Sequence, residues 1–151
     1  MNTFEKVSTI NCSLEDLFDF HLDIKNLENI TPPDTKVKLL NKDFIPHEGG
    51  VLKIRTVKNF IPITWEVEIA KIEKPNLLVD IAHKSPFKYW KHYHIFTQKG
   101  NICELKDVVE YELPLGALGQ LFNFFIQSEL KKMFDFRHKV TKEILNYKAG
   151  R

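Results

Sequence analysis

The chain has 151 residues, enough for one folding unit that buries roughly 70% of its unfolded surface without a disulfide or metal staple. Lys and Arg number 22 against 20 Asp and Glu, a net charge of +2, so no cationic excess exists to neutralise phosphates and no nucleic-acid partner is expected. No apolar run approaches the ~20 residues that span a bilayer, and the N-terminal segment has no basic stretch leading into an apolar core, so a cytoplasmic address is expected, with membrane contact at most peripheral.

Residues 3–11 alternate, with Phe4, Lys6, Ser8 and Ile10 on one face, and predict a first strand. Ser13 followed by Glu15 and Asp16 has the pattern of a helix N-cap with acids in the first turn. Leu14, Leu17, Phe18 and Leu22 continue that helix to about Asp23, and a second short helix is expected over Ile24–Ile30. Thr31-Pro32-Pro33 must end it, because proline disfavours helical geometry in the residue before it. Six strand-like segments follow at Lys36–Lys42, Val51–Val57, Ile63–Ile72, Leu77–His83, Tyr89–Gln98 and Ile102–Leu113, separated by turn signals, as in an antiparallel meander. From about Gly119 to Tyr147 the period changes to three and four, predicting one long amphipathic helix with Phe122, Phe125, Met133 and Phe136 as its inward stripe. The stretch from Lys131 to Arg151 is locally basic and reads as a solvated helix face. Cys12 and Cys103 match no metal spacing and read as free, buried thiols.

One sheet of seven strands must bury a face, and a helix of this length can cross it. The sharpest local feature is the strand Tyr89–Gln98, where Trp90, His92, His94 and Phe96 share a face. If Lys99-Gly100 forms a two-residue hairpin turn, His92 lies opposite Asp107, Trp90 opposite Val109 and His94 opposite Leu105, with Tyr111 next along that face. Three readings of the His92–Asp107 pair compete. It is a satisfied structural pair, a polar anchor for a ligand head group, or an acid–base couple, the last with a metal-binding variant that recruits Asp80. The structural and anchoring readings rank above catalysis and metal binding, and no metal or cofactor is expected. Trp65 shares a face with Ile63, Val67 and Ile69, while Glu66 and Glu68 point the other way.

Several segments resemble the START / polyketide cyclase (SRPBCC) superfamily, in particular a bacterial cyclase/dehydrase-like branch. They are Phe20-His21, Asn26-Leu27 leading to Ile30-Thr31-Pro32-Pro33, Ile61-Pro62-Ile63-Thr64-Trp65, Val79-Asp80, Ser85-Pro86-Phe87, Trp90 through Phe96, and Asp107 through Gly116. The likeness extends over nearly the whole chain and departs from the pattern at Ala82 and Ser85. It implies an α+β helix-grip fold over residues 1–151, a curved seven-stranded antiparallel sheet wrapped around the long C-terminal helix, with two short helices after the first strand. It also implies an internal cavity for an apolar or amphipathic small molecule such as a lipid, quinone or polyketide. The residues expected at that ligand are Trp65, Trp90, His92, His94, Phe96, Asp107, Val109, Tyr111, Phe122, Phe125, Met133 and Phe136. Binding is favoured over catalysis, for which His92 and Asp107 are the candidates. A monomer or a homodimer fits equally, and the apolar arc at Leu118–Ile126 offers a lid, a dimer surface or a docking face.

Overall fold

A computed structural model describes residues 1–149, with side chains through Asn146. The end of the basic stretch from Lys131 to Arg151 lies outside the described residues. The elements run β1 (Asn2–Ile10), α1 (Leu14–Leu22), α2 (Asn26–Asn29), β2 (Thr35–Leu39), β3 (Val51–Lys58), β4 (Ile61–Glu73), β5 (Leu77–Lys84), β6 (Tyr89–Lys99), β7 (Ile102–Glu112), α3 (Gly116–Gln120) and α4 (Asn123–Ala149). Ser13 caps α1 as its sequence position predicts, its hydroxyl accepting from the Asp16 N–H at 3.1 Å.

All seven strands join one antiparallel sheet in the order β1-β7-β6-β5-β4-β3-β2, the meander β2 to β7 being closed by β1 on the far side of β7. Bulges bend its middle. On β4, Ile69 pairs with Asp80 and Lys71 with Val79, leaving Ala70 unpaired. The same irregularity at Glu66/Val67 leaves His83 over on β5. An extra residue kinks and twists a strand, and it swaps the face on which the following residues fall. The inward residues of β4 are therefore odd-numbered up to Ile69, and Ile72 takes up the inward position afterwards. The curled half-barrel that results wraps around α4, a helix of 27 residues, about 40 Å long at 1.5 Å per residue.

The predicted single helix from Gly119 is in fact broken. Leu115 and Gly116 take left-handed backbone (φ 68° and 53°), and α3 ends before Leu121. Gly119 explains the tight corner: a Cβ there would lie 1.8 Å from the Pro114 carbonyl oxygen. After the break, polar contacts set the phase of α4. The Tyr111 hydroxyl donates to Asn123 Oδ1 at 2.6 Å, and Gln127 Nε2 donates to the Tyr111 hydroxyl at 2.7 Å and to the Thr3 carbonyl at 3.1 Å. The buried stripe then continues through Leu130, Phe134, His138, Thr141 and Leu145, each 5% exposed or less. This corrects the predicted inward stripe: Phe122 and Phe125 are 59% and 54% exposed and face outward, beside Leu118, Leu121 and Phe124.

The register of the β6–β7 hairpin also differs from expectation. Lys99 pairs with Ile102, so the turn residues are Gly100-Asn101 rather than Lys99-Gly100. Glycine at φ +60° takes the first turn position, which in a two-residue hairpin needs positive φ. Each partner moves by two residues, so the inward face is kept. Asp107 now stands opposite His94, Val109 opposite His92 and Tyr111 opposite Trp90.

The phase of α4 predicts a contrast between two neighbouring types of phenylalanine. Phe134→Ala, which empties a site packed on Phe4 and His92 at ring distances of 5.3 Å, should lower the unfolding free energy by about 3–5 kcal/mol in urea titrations. Phe124→Ala, at a position 78% exposed, should change it by less than about 0.5 kcal/mol.

Candidate functional site

Two apolar clusters fill the space between sheet and helices. One gathers Ile10, Leu17, Phe18, Leu78, Phe96, Leu105 and Leu145, and the other Phe4, Trp90, Val109, Tyr111, Leu130 and Phe134. Along β7, Asp107 falls between Leu105 of the first and Val109 of the second. Along β6, His92 and His94 fall between Trp90 and Phe96, and along α4, His138 falls between Phe134 and Leu145. A layer of ionisable side chains thus divides the core.

Asp107 is its centre, 3% exposed. Its Oδ1 accepts from His92 Nε2 at 2.6 Å and its Oδ2 from His138 Nε2 at 2.6 Å. His138 is held on its other side by Ser8 Oγ, 2.7 Å from Nδ1. His94 stacks on His92 with ring centroids 3.8 Å apart and donates through Nε2 to Asp80 Oδ2 at 2.7 Å. Its Nδ1 comes within 3.3 Å of Asp107 Oδ1 but off the axis a hydrogen bond needs, and is buried without a partner. His21 completes the group, its ring 6.0 Å from that of His94 and its Nδ1 donating to the Leu17 carbonyl at 2.9 Å.

The electrostatics separate these rings. Burial, reinforced by the charge of His94, pushes His21 and His92 down to about 4. Burial would lower His94 too, but the charge and hydrogen bond of Asp80, with the charge of Asp107, outweigh it and raise His94 above its ordinary value. Burial opposes ionisation of both carboxylates. Hydrogen bonds from His138 and His92, with the charge favoured on His94, nevertheless hold Asp107 well below the usual range, and His94 does the same for Asp80. The two carboxylates thus face Arg137 and a His94 whose cationic form is favoured. Arg137 loses some basicity to burial but keeps its charge.

Between the concave sheet, α1–α2 and α4 lies a cavity of about 720 Å³. Its walls are mainly apolar, with Phe20, Leu27 and Ile30 from the short helices, Leu52, Ile54, Trp65, Val67 and Ile69 from β3 and β4, and Ile126, Leu130, Met133 and Phe136 from α4. His21, Asp80, His94 and Arg137 supply a polar wall. The rim carries Pro32, Pro33, Asp34, Lys58, Glu129 and Lys132, where Lys58 bridges Glu129 at 2.9 Å and Asp34 at 3.5 Å. That ion pair ties the end of β3 to α4 and to the loop after α2.

Of the residues expected at a ligand, Trp65, Trp90, His94, Met133 and Phe136 line this cavity. His92, Phe96, Asp107, Val109 and Tyr111 do not: each is buried behind the wall, and the His92–Asp107 pair supports His94 from the rear. Phe122 and Phe125 are outside altogether. Sequence reasoning missed His21, Arg137 and His138. Phe134, Arg137 and His138 have the spacing of one helix face, but the assumed phase of the helix put that face elsewhere. Asp80, His92 and His94 bring ligand atoms within 4.8 Å of one another, yet both Nε2 atoms are engaged in hydrogen bonds to carboxylates.

Sheet order, curl and the crossing helix define the helix-grip fold of START/SRPBCC proteins. Solved structures agree. A protein from Chromobacterium violaceum superposes with a TM-score of 0.78 at 11% identity, over 97% of this chain and 99% of that one. A START superfamily protein from Mycobacterium smegmatis gives 0.67 at 11% identity, covering 96% and 97%. The di-domain ARO/CYC StfQ of the steffimycin biosynthetic pathway gives 0.78 at 12% identity, with 99% of this chain matching 52% of that one. No family model matches the sequence, and no curated protein does. No helix among the described residues is long and apolar enough to cross a membrane.

The opposed shifts of the imidazoles predict a stability maximum near pH 6.5. Between about pH 4 and 6.5 the unfolded chain binds protons on His21 and His92 that the fold refuses, so stability rises with pH, by up to about 1.4 kcal/mol per unit for each ring. Above about 6.5 the fold retains on His94 a proton that the unfolded chain has released, so stability falls as pH climbs through the raised value of His94. Urea midpoints from pH 4 to 9 should trace this maximum, and His92→Gln should flatten the acid limb by about half. Asp107→Ala, which strips the carboxylate from His92 and His138 alike, should cost about 3–5 kcal/mol at pH 7.

Proposed function

We propose that this protein is a single-domain intracellular binder of an apolar or amphipathic small molecule, held in the cavity beneath α4. The observation that carries the reading is the cavity itself. Its volume of about 720 Å³ falls within the roughly 300–1,000 Å³ of small-molecule sites, and a mainly apolar wall meets one small polar group. Apolar surface supplies affinity, and His94, Asp80 and Arg137 orient the head group. The fold shared with a START superfamily protein and an ARO/CYC domain supports the same reading.

A cyclase/dehydrase-type activity is the second reading, and a specific observation favours a form of it. Of the histidines at the cavity, His94 is the one paired with a carboxylate, Asp80 at 2.7 Å, so the acid–base couple would be this pair rather than His92 and Asp107. His94→Gln that kept binding but lost turnover of a bound polyketide would support catalysis, and unchanged turnover would exclude it.

Native mass spectrometry of freshly purified protein, compared with the denatured sample, tests carriage directly, since a retained ligand appears as a mass excess that denaturation removes. Met133→Trp places a larger side chain in the cavity wall. It should reduce uptake of the neutral dye Nile red at least about tenfold while the circular dichroism spectrum stays that of the wild type. Equal uptake by both would put the dye elsewhere and count against the cavity as the site.

A further inference from the structure

Arg137 is the one member of the polar wall left without a partner. Among the described residues its guanidinium makes no hydrogen bond or ion pair, although Asp80 and Asp107 lie near enough for their charges to be felt. Its Nε is sealed from solvent and unsatisfied. Neither carboxylate makes a hydrogen bond or ion pair with it, and each is already engaged with histidine. Asp80 is taken by His94 at 2.7 Å, and Asp107 by His92 and His138 at 2.6 Å each. The Phe134 ring lies 5.4 Å from the Arg137 Cζ and offers a π-face, not a hydrogen-bond acceptor. A guanidinium has five donors in a planar fork and no acceptor, and burying one with donors unmet is unfavourable unless something else supplies the oxygens.

For the terminal Nη groups that supply can come from the cavity, because Arg137 lies on its wall one turn beyond Met133, while the sealed Nε is out of a ligand's reach. We infer that the ligand is an amphipathic carboxylic acid whose carboxylate docks on Arg137. This rests on the cavity being the binding site, as proposed above. A carboxylate matches the fork with two parallel charge-assisted hydrogen bonds, which neither a hydroxyl nor an ammonium head can do. The apolar body then lies along Met133, Leu130 and Trp65 toward the rim. Asp107 lies behind the wall with its oxygens taken by His92 and His138, so Arg137 is the cation on the cavity wall that no carboxylate hydrogen-bonds.

Displacement of Nile red at pH 7.5 distinguishes the possibilities, using dodecanoate, methyl dodecanoate, dodecanol and dodecylamine below their aggregation concentrations. Dodecanoate should displace the dye at least about tenfold more tightly than dodecanol or the methyl ester, with dodecylamine weakest. Arg137→Gln should bring acid and alcohol within about twofold of each other, chiefly by weakening the acid, and Arg137→Lys should keep part of the preference. Three results overturn the assignment: equal binding of acid and alcohol by the wild type, an ester as good as the acid, or a preference that survives Arg137→Gln and disappears in Lys132→Gln at the rim. The wild-type series needs no variant, so it decides even if Arg137→Gln fails to fold. Wild-type protein that takes up no Nile red would instead overturn the cavity reading, and this inference with it.

Discussion

The ionised carboxylate of Asp107 is the constraint on which the interior depends. A charge 3% exposed in the middle of a sheet is tolerable only if every lone pair facing protein is used. Here β6 supplies His92, α4 supplies His138, and His94 stands directly across the strand pair. These contacts tie the sheet to the long helix at one depth, and the helix cannot slide or rotate without stranding the carboxylate. The same network fixes the rings. His92 is kept neutral by burial, while His94 is pushed toward its cationic form and held against Asp80. The residue presented to the cavity is thus positioned by others that never touch it.

The cavity follows from the same geometry. The bulges in β4 and β5 curl the sheet, and α4 rests on the β1–β7 side of it through Thr3, Tyr111 and the Asp107 layer. The β3–β4 side is therefore left unfilled by the helix, and α2 with its following prolines covers only part of the gap. Close packing, which ordinarily fills a protein interior, is achieved in the two apolar clusters and given up between them and the sheet's far edge. An unpaired arginine facing that space is consistent with a site whose hydrogen bonding is completed by a bound molecule.

The corner between α3 and α4 has a separate consequence. Because Asn123 and Gln127 are drawn to Tyr111, the residues between and before them turn outward. Leu118, Leu121, Phe122, Phe124 and Phe125 form an exposed apolar lip adjoining Ile126, which lines the cavity. So large a cluster of exposed aromatic and aliphatic side chains is unusual for a surface that meets only water.

The sequence by itself determined the order of elements as far as the C-terminal helix, the cap of α1, the stop after α2 and the inward face of β6, because these depend on local periodicity and on single residues such as Ser13 and Pro32. The inward set Trp90, His92, His94 and Phe96 was legible for that reason, and so was the proximity of a histidine to Asp107, since the two-residue change in hairpin register preserved the face. Only the tertiary structure decided which of these side chains reach the cavity. The register made His94 the partner across from Asp107, and the phase of α4, set by Tyr111 and the close approach at Gly119, brought Leu130, Phe134 and His138 inward and turned Phe122 and Phe125 out. Helical periodicity alone leaves such a phase open when apolar residues occupy more than one face, as they do from Leu118 to Phe136. Arg137 and His138 were illegible because a basic pair on a charged helix reads as solvated surface, and only contacts from distant strands bury it.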